Sequence, residues 1–174
     1  MVGFHANYVS ECEKFLSEKS YIIDSKNDTE YLGRGMYFWE HKSRAEWWRK
    51  SHKKDSDSMI VSAELSLENA LDLTDDEIVN EISRMVTYID KSVIRNKKKE
   101  RNASSSGNSV GVILDSVLEA FNRDMSKYDI IKAFAKNDKK KENDFFCSSN
   151  LTTKPSMILC AKNNAPIGER KRVL

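Results

Sequence analysis

Long apolar runs are missing from this sequence, and cysteine is scarce in it. No window approaches the roughly 18 consecutive apolar residues that a membrane-spanning helix needs. The N-terminal stretch, MVGFHANYVSECEKF, also lacks a basic start followed by an apolar segment. We therefore expect no membrane association, no secretion signal and a cytoplasmic location.

The three cysteines, Cys12, Cys147 and Cys160, are odd in number and widely spaced. They form no CxxC pair, and no histidine stands near them at a spacing typical of a metal site. We expect reduced thiols, with Cys12 and Cys160 packed as small apolar residues, and no bound metal.

The residues that are present have the balance of a soluble globular protein, since 39% of the 174 are apolar and 32% are charged. This length suits a single domain over residues 1–174. The net charge is +2, but positive residues cluster in RNKKKERN at 95–102 and in the tail GERKRVL at 168–174. Such clusters are typical of a solvated edge, and also of a surface that binds RNA, DNA or an acidic protein.

Hydrophobic spacing in the first part of the chain predicts strands that alternate with helices. The predicted elements are a strand at 1–6, a helix with apolar residues Val9, Cys12, Phe15 and Leu16, a strand at Met36–Trp39, a helix at 41–52 and a strand at 58–65.

The middle of the chain is predicted to be a helical insertion, at about residues 75–135. Thr74 and Glu77 match a capping box that opens a long helix, whose apolar face continues to Val93. The further predicted elements are a loop over 95–109, helices at Val112–Phe121 and Lys127–Ala135, and a closing strand at 156–162. This order indicates an α+β fold in which the last strand pairs near the first ones and the helices cover one side of the sheet.

Three residues of the predicted strands are candidates for chemistry: His5, Tyr37, which follows a glycine-containing turn, and Ile158 in the closing strand. Each of them alone is more typical of structure. A histidine in a strand is usually a hydrogen-bonded structural residue, an aromatic cluster is usually packing, and an apolar strand is ordinary.

Their combination resembles a known superfamily. GFHA at 3–6, YLGRGMYFWE at 31–40 and the following helix with alanine and tryptophan resemble the diphtheria-toxin and PARP-type ADP-ribosyltransferases. The pattern is closer still to small bacterial single-domain members, which run roughly YHGT, LGxGxYFWE and AxxWA. Later segments stand in the order of that bacterial group, namely MIVSAELSLENALDLTDDE, GVILDSVLEAF, YDIIKAF and SMILCAKNNAPI. The resemblance covers nearly the whole chain and implies a split antiparallel or mixed β-sheet core.

The resemblance also implies NAD as a substrate. The backbone at Ala6 would pair with the nicotinamide carboxamide, and the imidazole of His5 would donate to a ribose hydroxyl. Tyr37 would pack on the nicotinamide ring, and Trp47, narrowly preferred to Trp48, would supply the opposite face. The remaining implied NAD-binding residues are Gly35, Phe38 and Arg44.

Two positions depart from the family pattern. Ile158 stands where many relatives carry a glutamate that binds the ribose and helps to activate the acceptor, and Ala6 stands where a glycine is usual. An aliphatic residue at the first of these positions accompanies single-unit transfer, and sometimes loss of activity, so polymer synthesis is not expected. Glu40 and Glu64 are the sequence candidates for a substitute acid.

The function that the resemblance implies is mono-ADP-ribosyl transfer, by a toxin, a phage-defence component or another modifier. The implied partners are a macromolecular acceptor, either protein or nucleic acid, and an inhibitor or antitoxin protein. Two alternatives stay open. One is a catalytically inactive module that keeps the NAD pocket for binding, and the other is a nucleic-acid-binding protein that uses the basic residues at 95–101 and the Arg170–Arg172 tail.

Overall fold

A computed structural model describes residues 1–25, 31–52, 57–100, 109–121, 128–135 and 155–173. Within these ranges the elements are β1 (Val2–Tyr8), α1 (Val9–Ser17), β2 (Met36–Trp39), α2 (Lys42–His52), β3 (Ser58–Leu65), β4 (Ala70–Asp72), α3 (Asp76–Tyr88), α4 (Lys91–Glu100), α5 (Val110–Ala120), β5 (Ile130–Ala135), β6 (Ser156–Ala161) and β7 (Ile167–Val173). The predicted strands and helices of the first 65 residues are confirmed in type and order.

The strands form one seven-stranded mixed sheet in the order β4-β5-β6-β2-β1-β3-β7. The pair β4–β5 is parallel, and every other neighbouring pair is antiparallel. The predicted α+β class is therefore confirmed. The β6 strand pairs with β2 and the β7 strand with β3, so the last strands return beside the first ones as predicted.

Helices cover both faces of the sheet. On one face, Cys12 and Phe15 of α1 pack into a core with Phe38. On the other, α2, α3 and α5 contribute Ala45, Ile82 and Val117 to a second core. The predicted helical layer from the middle of the chain therefore lies on one side of the sheet. Cys12 and Cys160 are both buried, as predicted, whereas Cys147 lies outside the described residues.

The long helix predicted after residue 74 is wrong in two respects. The cap of α3 is Asp75, whose side chain accepts a hydrogen bond from the Glu77 N–H, while the Thr74 hydroxyl donates to Asp72 instead. The helix also ends at Tyr88, because Asp90 accepts from the Ser92 N–H and starts α4. Residues 95–100 belong to α4, which corrects the loop predicted there. Residues 101–108 lie outside the described part of the chain.

The helix predicted at Lys127–Ala135 is also wrong. Residues 130–135 form β5, which pairs with β4 on one side and β6 on the other, and Lys127 lies outside the described residues. Ile130 and Ile131 are both fully buried, in opposite cores, so a strand covered on both faces shows no alternation in its sequence. Within the described residues, the helices of the insertion are therefore α3, α4 and α5, and residues 130–135 are not helical.

The strand at 156–161 is followed by a further strand, β7, in the segment that the sequence suggested to be a basic tail. Its cations bind within the chain. Arg170 donates to the carbonyl oxygens of Phe15, Glu18, Lys19 and Tyr21 at the end of α1, Lys171 pairs with Glu169, and Arg172 pairs with Glu13. Within the described residues, no helix combines the length and apolar character needed to cross a bilayer.

Candidate active site

A cavity of ≈ 270 Å³ opens where β1 and β2 separate. Its lining residues come from β1, the segment before β2, β2 itself, α2 and β6. They are His5, Ala6, Asn7, Ile23, Asp24, Ser25, Tyr31, Tyr37, Trp39, Trp48, His52 and Ile158.

The separation of the two strands creates the cavity. β1 and β3 remain in register over seven residue pairs, but β1 and β2 share a single pair, Phe4 with Trp39. Beyond that pair, Ala6 and Asn7 on β1 and Tyr37 on β2 line the opening. The described strands form one continuous sheet, so the predicted split of the sheet is not observed, and the pairing between β1 and β2 is lost only locally.

The side chain of His5 bridges this gap. Its Nδ1 atom lies 2.6 Å from the carbonyl oxygen of Tyr37, and its Nε2 atom lies 3.3 Å from the amide nitrogen of Asn7. A carbonyl oxygen only accepts, so Nδ1 carries the proton, and in the neutral ring Nε2 is then an acceptor. Nε2 therefore accepts from the Asn7 amide, and a ribose hydroxyl would donate to it only by displacing that amide, whereas the resemblance implied that the imidazole is the donor.

Tyr37 has separate roles for its ring and its hydroxyl group. The ring lines the cavity. The hydroxyl donates to the carbonyl oxygen of Gly33 at 2.5 Å and accepts from the N–H of Leu32 at 3.0 Å. Tyr37 thus ties the turn that precedes β2 to the cavity wall.

The glycines of that turn are required by close packing. Gly33 has φ +80°, and a Cβ atom there would lie 2.4 Å from the carboxylate of Asp115. Asp115 accepts from the Arg34 N–H at 3.0 Å and pairs with Lys162 at 3.1 Å. Lys162 also donates to the carbonyl oxygens of Leu32 and Arg34, both at 2.7 Å. A largely buried ion pair on α5 and the end of β6 therefore holds the turn in place.

Aromatic rings surround the mouth of the cavity. Trp48 lies 6.1 Å from Trp39 and 6.4 Å from Tyr31, measured between ring centroids. Its other face stacks on His52 at 3.7 Å with an interplanar angle of 14°. The tryptophan of α2 that lines the cavity is thus Trp48, whereas Trp47, which was narrowly preferred from the resemblance, is 42% exposed and lies outside the lining.

The structure brings together four of the sequence-predicted site residues, His5, Ala6, Tyr37 and Ile158, in the lining of one cavity. The other four lie elsewhere. Phe38 is fully buried on the opposite face of the sheet, because adjacent strand residues point to opposite sides. Gly35 packs against the backbone of Ala161, and Arg44 and Trp47 lie on α2 outside the lining.

The acidic residue of the lining is one that the sequence analysis missed. Ile158 is buried at the cavity wall, and neither Glu40 nor Glu64 belongs to the lining. Glu40 lies beside His41, and Glu64 lines a different cavity with Met1 and Val2. Among the described lining residues, Asp24 is the one carboxylate.

Asp24 reaches the cavity because its segment runs beside β2. The next residue, Ser25, donates its N–H to the carbonyl oxygen of Gly35 at 3.0 Å, and Ile23 is buried in the core behind it. In the sequence this segment precedes a polar stretch, and no periodic pattern marks Asp24 as a site residue.

Comparison of the chain with protein-family models, with curated proteins and with solved structures found no match. Among the described residues, no group of three or more His, Cys, Asp and Glu side chains is placed to hold a metal ion. The cavity must therefore be interpreted from its own chemistry, which combines aromatic walls, a histidine with an acceptor nitrogen and one carboxylate at the rim.

Proposed function

We propose that the protein is an NAD-dependent mono-ADP-ribosyltransferase of the type that its motifs resemble. One observation carries the proposal: His5, Ala6, Tyr37 and Ile158, which are separated in sequence, line one cavity at the point where β1 and β2 lose their pairing. If the sequence resemblance were accidental, nothing would require these four residues to line the same cavity.

The cavity suits one end of a dinucleotide. A volume of ≈ 270 Å³ lies near the lower end of the range for small-molecule sites, about 300–1,000 Å³. It suits a flat aromatic amide with part of its sugar, and the rest of the dinucleotide would lie over the neighbouring surface. Tyr37 and Trp48 offer aromatic area to the ring, and Nε2 of His5 would accept from a ribose hydroxyl that displaces the Asn7 amide.

The proposed reaction breaks the bond between the ribose C1 carbon and the nicotinamide nitrogen, and the electron pair leaves with neutral nicotinamide. A nucleophilic oxygen or nitrogen of the acceptor forms the new bond to that carbon and loses its proton to a base or to water. Positive charge develops on the ribose during this step, so a nearby carboxylate would stabilise the transition state. Positioning of the two reactants would supply much of the remaining rate enhancement.

A second candidate function is a catalytically inactive module that binds NAD. The observation that favours it is Ile158, which is buried at the cavity wall on β6 and offers neither a charge nor a hydrogen bond to the ribose. Such a module would bind NAD through His5 and Tyr37 without releasing nicotinamide. The role as a toxin or phage-defence component with an inhibitor protein applies only if the chain is a transferase. The chemistry of the cavity does not bear on it.

The test is incubation of the purified chain with labelled NAD and whole-cell extract, in parallel with His5→Ala, Tyr37→Ala and the control Tyr88→Ala. Tyr88 is 81% exposed on α3, so its loss removes an aromatic ring without touching the cavity. We expect label to enter macromolecules with the native chain and the control but not with the two cavity variants, and in single units. Equal labelling by all four proteins would refute the site.

Calorimetry with NAD separates the two candidates. Binding of NAD by the native chain with no release of nicotinamide in the presence of extract would favour the inactive module. Absence of NAD binding would remove both candidates together.

A further inference from the structure

The outer side of α2 carries a row of residues that the NAD cavity does not use. Arg44, Trp47 and Lys50 follow one another at intervals of three along this helix, so their side chains lie on one strip of its surface. Trp47 is 42% exposed, whereas Ala45 and Trp48 of the same helix pack into the core. Arg44 and Trp47 are also two of the sequence-predicted NAD residues that the structure places outside the cavity.

The charge of this helix is strongly positive. It holds Lys42, Arg44, Arg49 and Lys50 against a single acid, Glu46. Lys42 pairs with Glu46, and Arg49 donates to the carbonyl oxygen of Ser58. Within the described residues, Arg44 and Lys50, the two cations beside Trp47, form no ion pair, and Lys50 is exposed.

The row also borders the cavity. Trp48 and His52, on the neighbouring side of α2, stack on each other and line its mouth. Trp47 lies 6.4 Å from Trp48 and 5.9 Å from His52, measured between ring centroids. A polymer that follows the outer side of α2 would therefore pass directly beside the mouth of the cavity.

We propose that the outer side of α2 binds single-stranded nucleic acid, with a base stacked on Trp47 and the backbone phosphates on Arg44 and Lys50. An exposed aromatic ring with a cation on each side along the helix matches the chemistry of a nucleotide, which joins a flat base to an anionic phosphate. Bases paired in a duplex are not available for such stacking, so a single strand is the occupant.

Among the described residues, the other basic surfaces lack this combination. The three cations of β7 are bound within the chain. The basic residues of α4 include Lys97, which pairs with Glu119, and the helix Lys91–Glu100 contains no aromatic residue. This helix therefore offers no ring on which a base could stack.

The binding test uses the full chain without NAD. Fluorescence anisotropy measures the affinity for a labelled single strand of mixed sequence, as RNA in one arm and as DNA in the other, across a salt series. We expect Trp47→Ala to weaken binding about tenfold or more, and Arg44→Gln with Lys50→Gln to weaken it and to reduce its dependence on salt. The controls, Tyr88→Ala and the α4 double variant Lys98→Gln/Lys99→Gln, should bind as the native chain does.

Three outcomes would overturn the proposal. They are no binding of either strand at low salt, an affinity that Trp47→Ala and Arg44→Gln/Lys50→Gln leave unchanged, and an affinity lost in the α4 variant alone. Tighter binding of RNA than of DNA, or the reverse, identifies which of the two nucleic acids this surface prefers. Circular dichroism of each variant separates loss of binding from loss of folding.

That the bound strand is the acceptor of ADP-ribose rests on the proposed function. The two ideas fail separately, because strand binding is measured without NAD and nicotinamide release can be measured without nucleic acid. If the chain binds NAD and labels only protein, with Trp47→Ala as active as the native chain, the surface is not an acceptor site even if it binds a strand.

Discussion

The Nδ1 atom of His5 donates a 2.6 Å hydrogen bond to the carbonyl oxygen of Tyr37, and this bond links β1 to β2 at the point where their pairing ends. The Nε2 atom of the same ring faces the Asn7 amide, which we propose a ribose hydroxyl displaces, so the two nitrogens would serve structure and ligand separately. Asparagine can place a donor near the position of Nδ1 but has no atom at the position of Nε2.

We therefore predict that His5→Asn keeps most of the folding stability and loses NAD binding, whereas His5→Ala loses both. Removing the donor leaves a carbonyl oxygen without its partner in a nearly closed site, which costs about 1–3 kcal/mol. Thermal unfolding and calorimetry with NAD measure the two effects. Nitrogen NMR of the native imidazole should show the proton on Nδ1, and a proton on Nε2 would contradict the assignment.

Tyr37→Phe tests the division between the ring and the hydroxyl group. The substitution removes the bonds to Gly33 and Leu32 but keeps the aromatic wall. We expect a loss of about 1–3 kcal/mol in the free energy of unfolding, or about 2–10 °C in melting temperature for a chain of this size. NAD affinity should change by less than about threefold, well within 1 kcal/mol.

The matched control is Tyr88→Phe, which removes an exposed hydroxyl from α3 and should leave the melting temperature unchanged. If Tyr37→Phe lowered NAD affinity as much as Tyr37→Ala, the hydroxyl group and not the ring would be the part that meets the ligand.

The sequence predicted the elements of the site better than the insertion beside it. β1, β2, α2 and β3 have clear periodicity and are short, so local pattern and final structure agree. In IIKAFA, both isoleucines are buried, on opposite faces, because strands pair with β5 on each side. Burial on both faces depends on strands that are distant in sequence, so no local sequence pattern predicts it.

Within the site, the sequence identified the residues that belong to motifs and missed those brought in by packing. Trp47 and Trp48 are adjacent in sequence, and only the contacts of Trp48 with Tyr31 and Trp39 decide which of them faces the cavity. Asp24 precedes Ser25, whose N–H donates to the carbonyl oxygen of Gly35. Both features depend on how α2 and the segment before β2 dock onto the sheet.

Asp24→Asn is predicted to slow nicotinamide release about tenfold or more while leaving NAD affinity nearly unchanged. The reason is that Asp24 is the carboxylate of the described lining, where Ile158 supplies no charge, and a carboxylate acts mainly on the positive charge of the transition state. The measurement is the rate of nicotinamide release at saturating NAD. Glu40→Gln is the control, and an equal loss of rate in both variants would show that Asp24 has no special role.

Lowering the pH should weaken the contact between β4 and β5, because it protonates the carboxylate of Asp72. Burial raises the pKa of its carboxyl group, but hydrogen bonds from Lys132, at 2.6 Å, and from Thr74 outweigh burial, so that the pKa lies below its ordinary value. A carboxylate whose pKa is lowered by folding stabilises the fold above its ordinary pKa, and the contribution is lost as the pH falls through the folded value.

We predict that Asp72→Asn costs about 1 kcal/mol at neutral pH, since the pair is partly exposed. The difference in melting temperature from the native chain should be constant down to about pH 5 and shrink below it. Lys132→Met should show the same loss at neutral pH, and a difference that grows as the pH falls would contradict the direction of the shift.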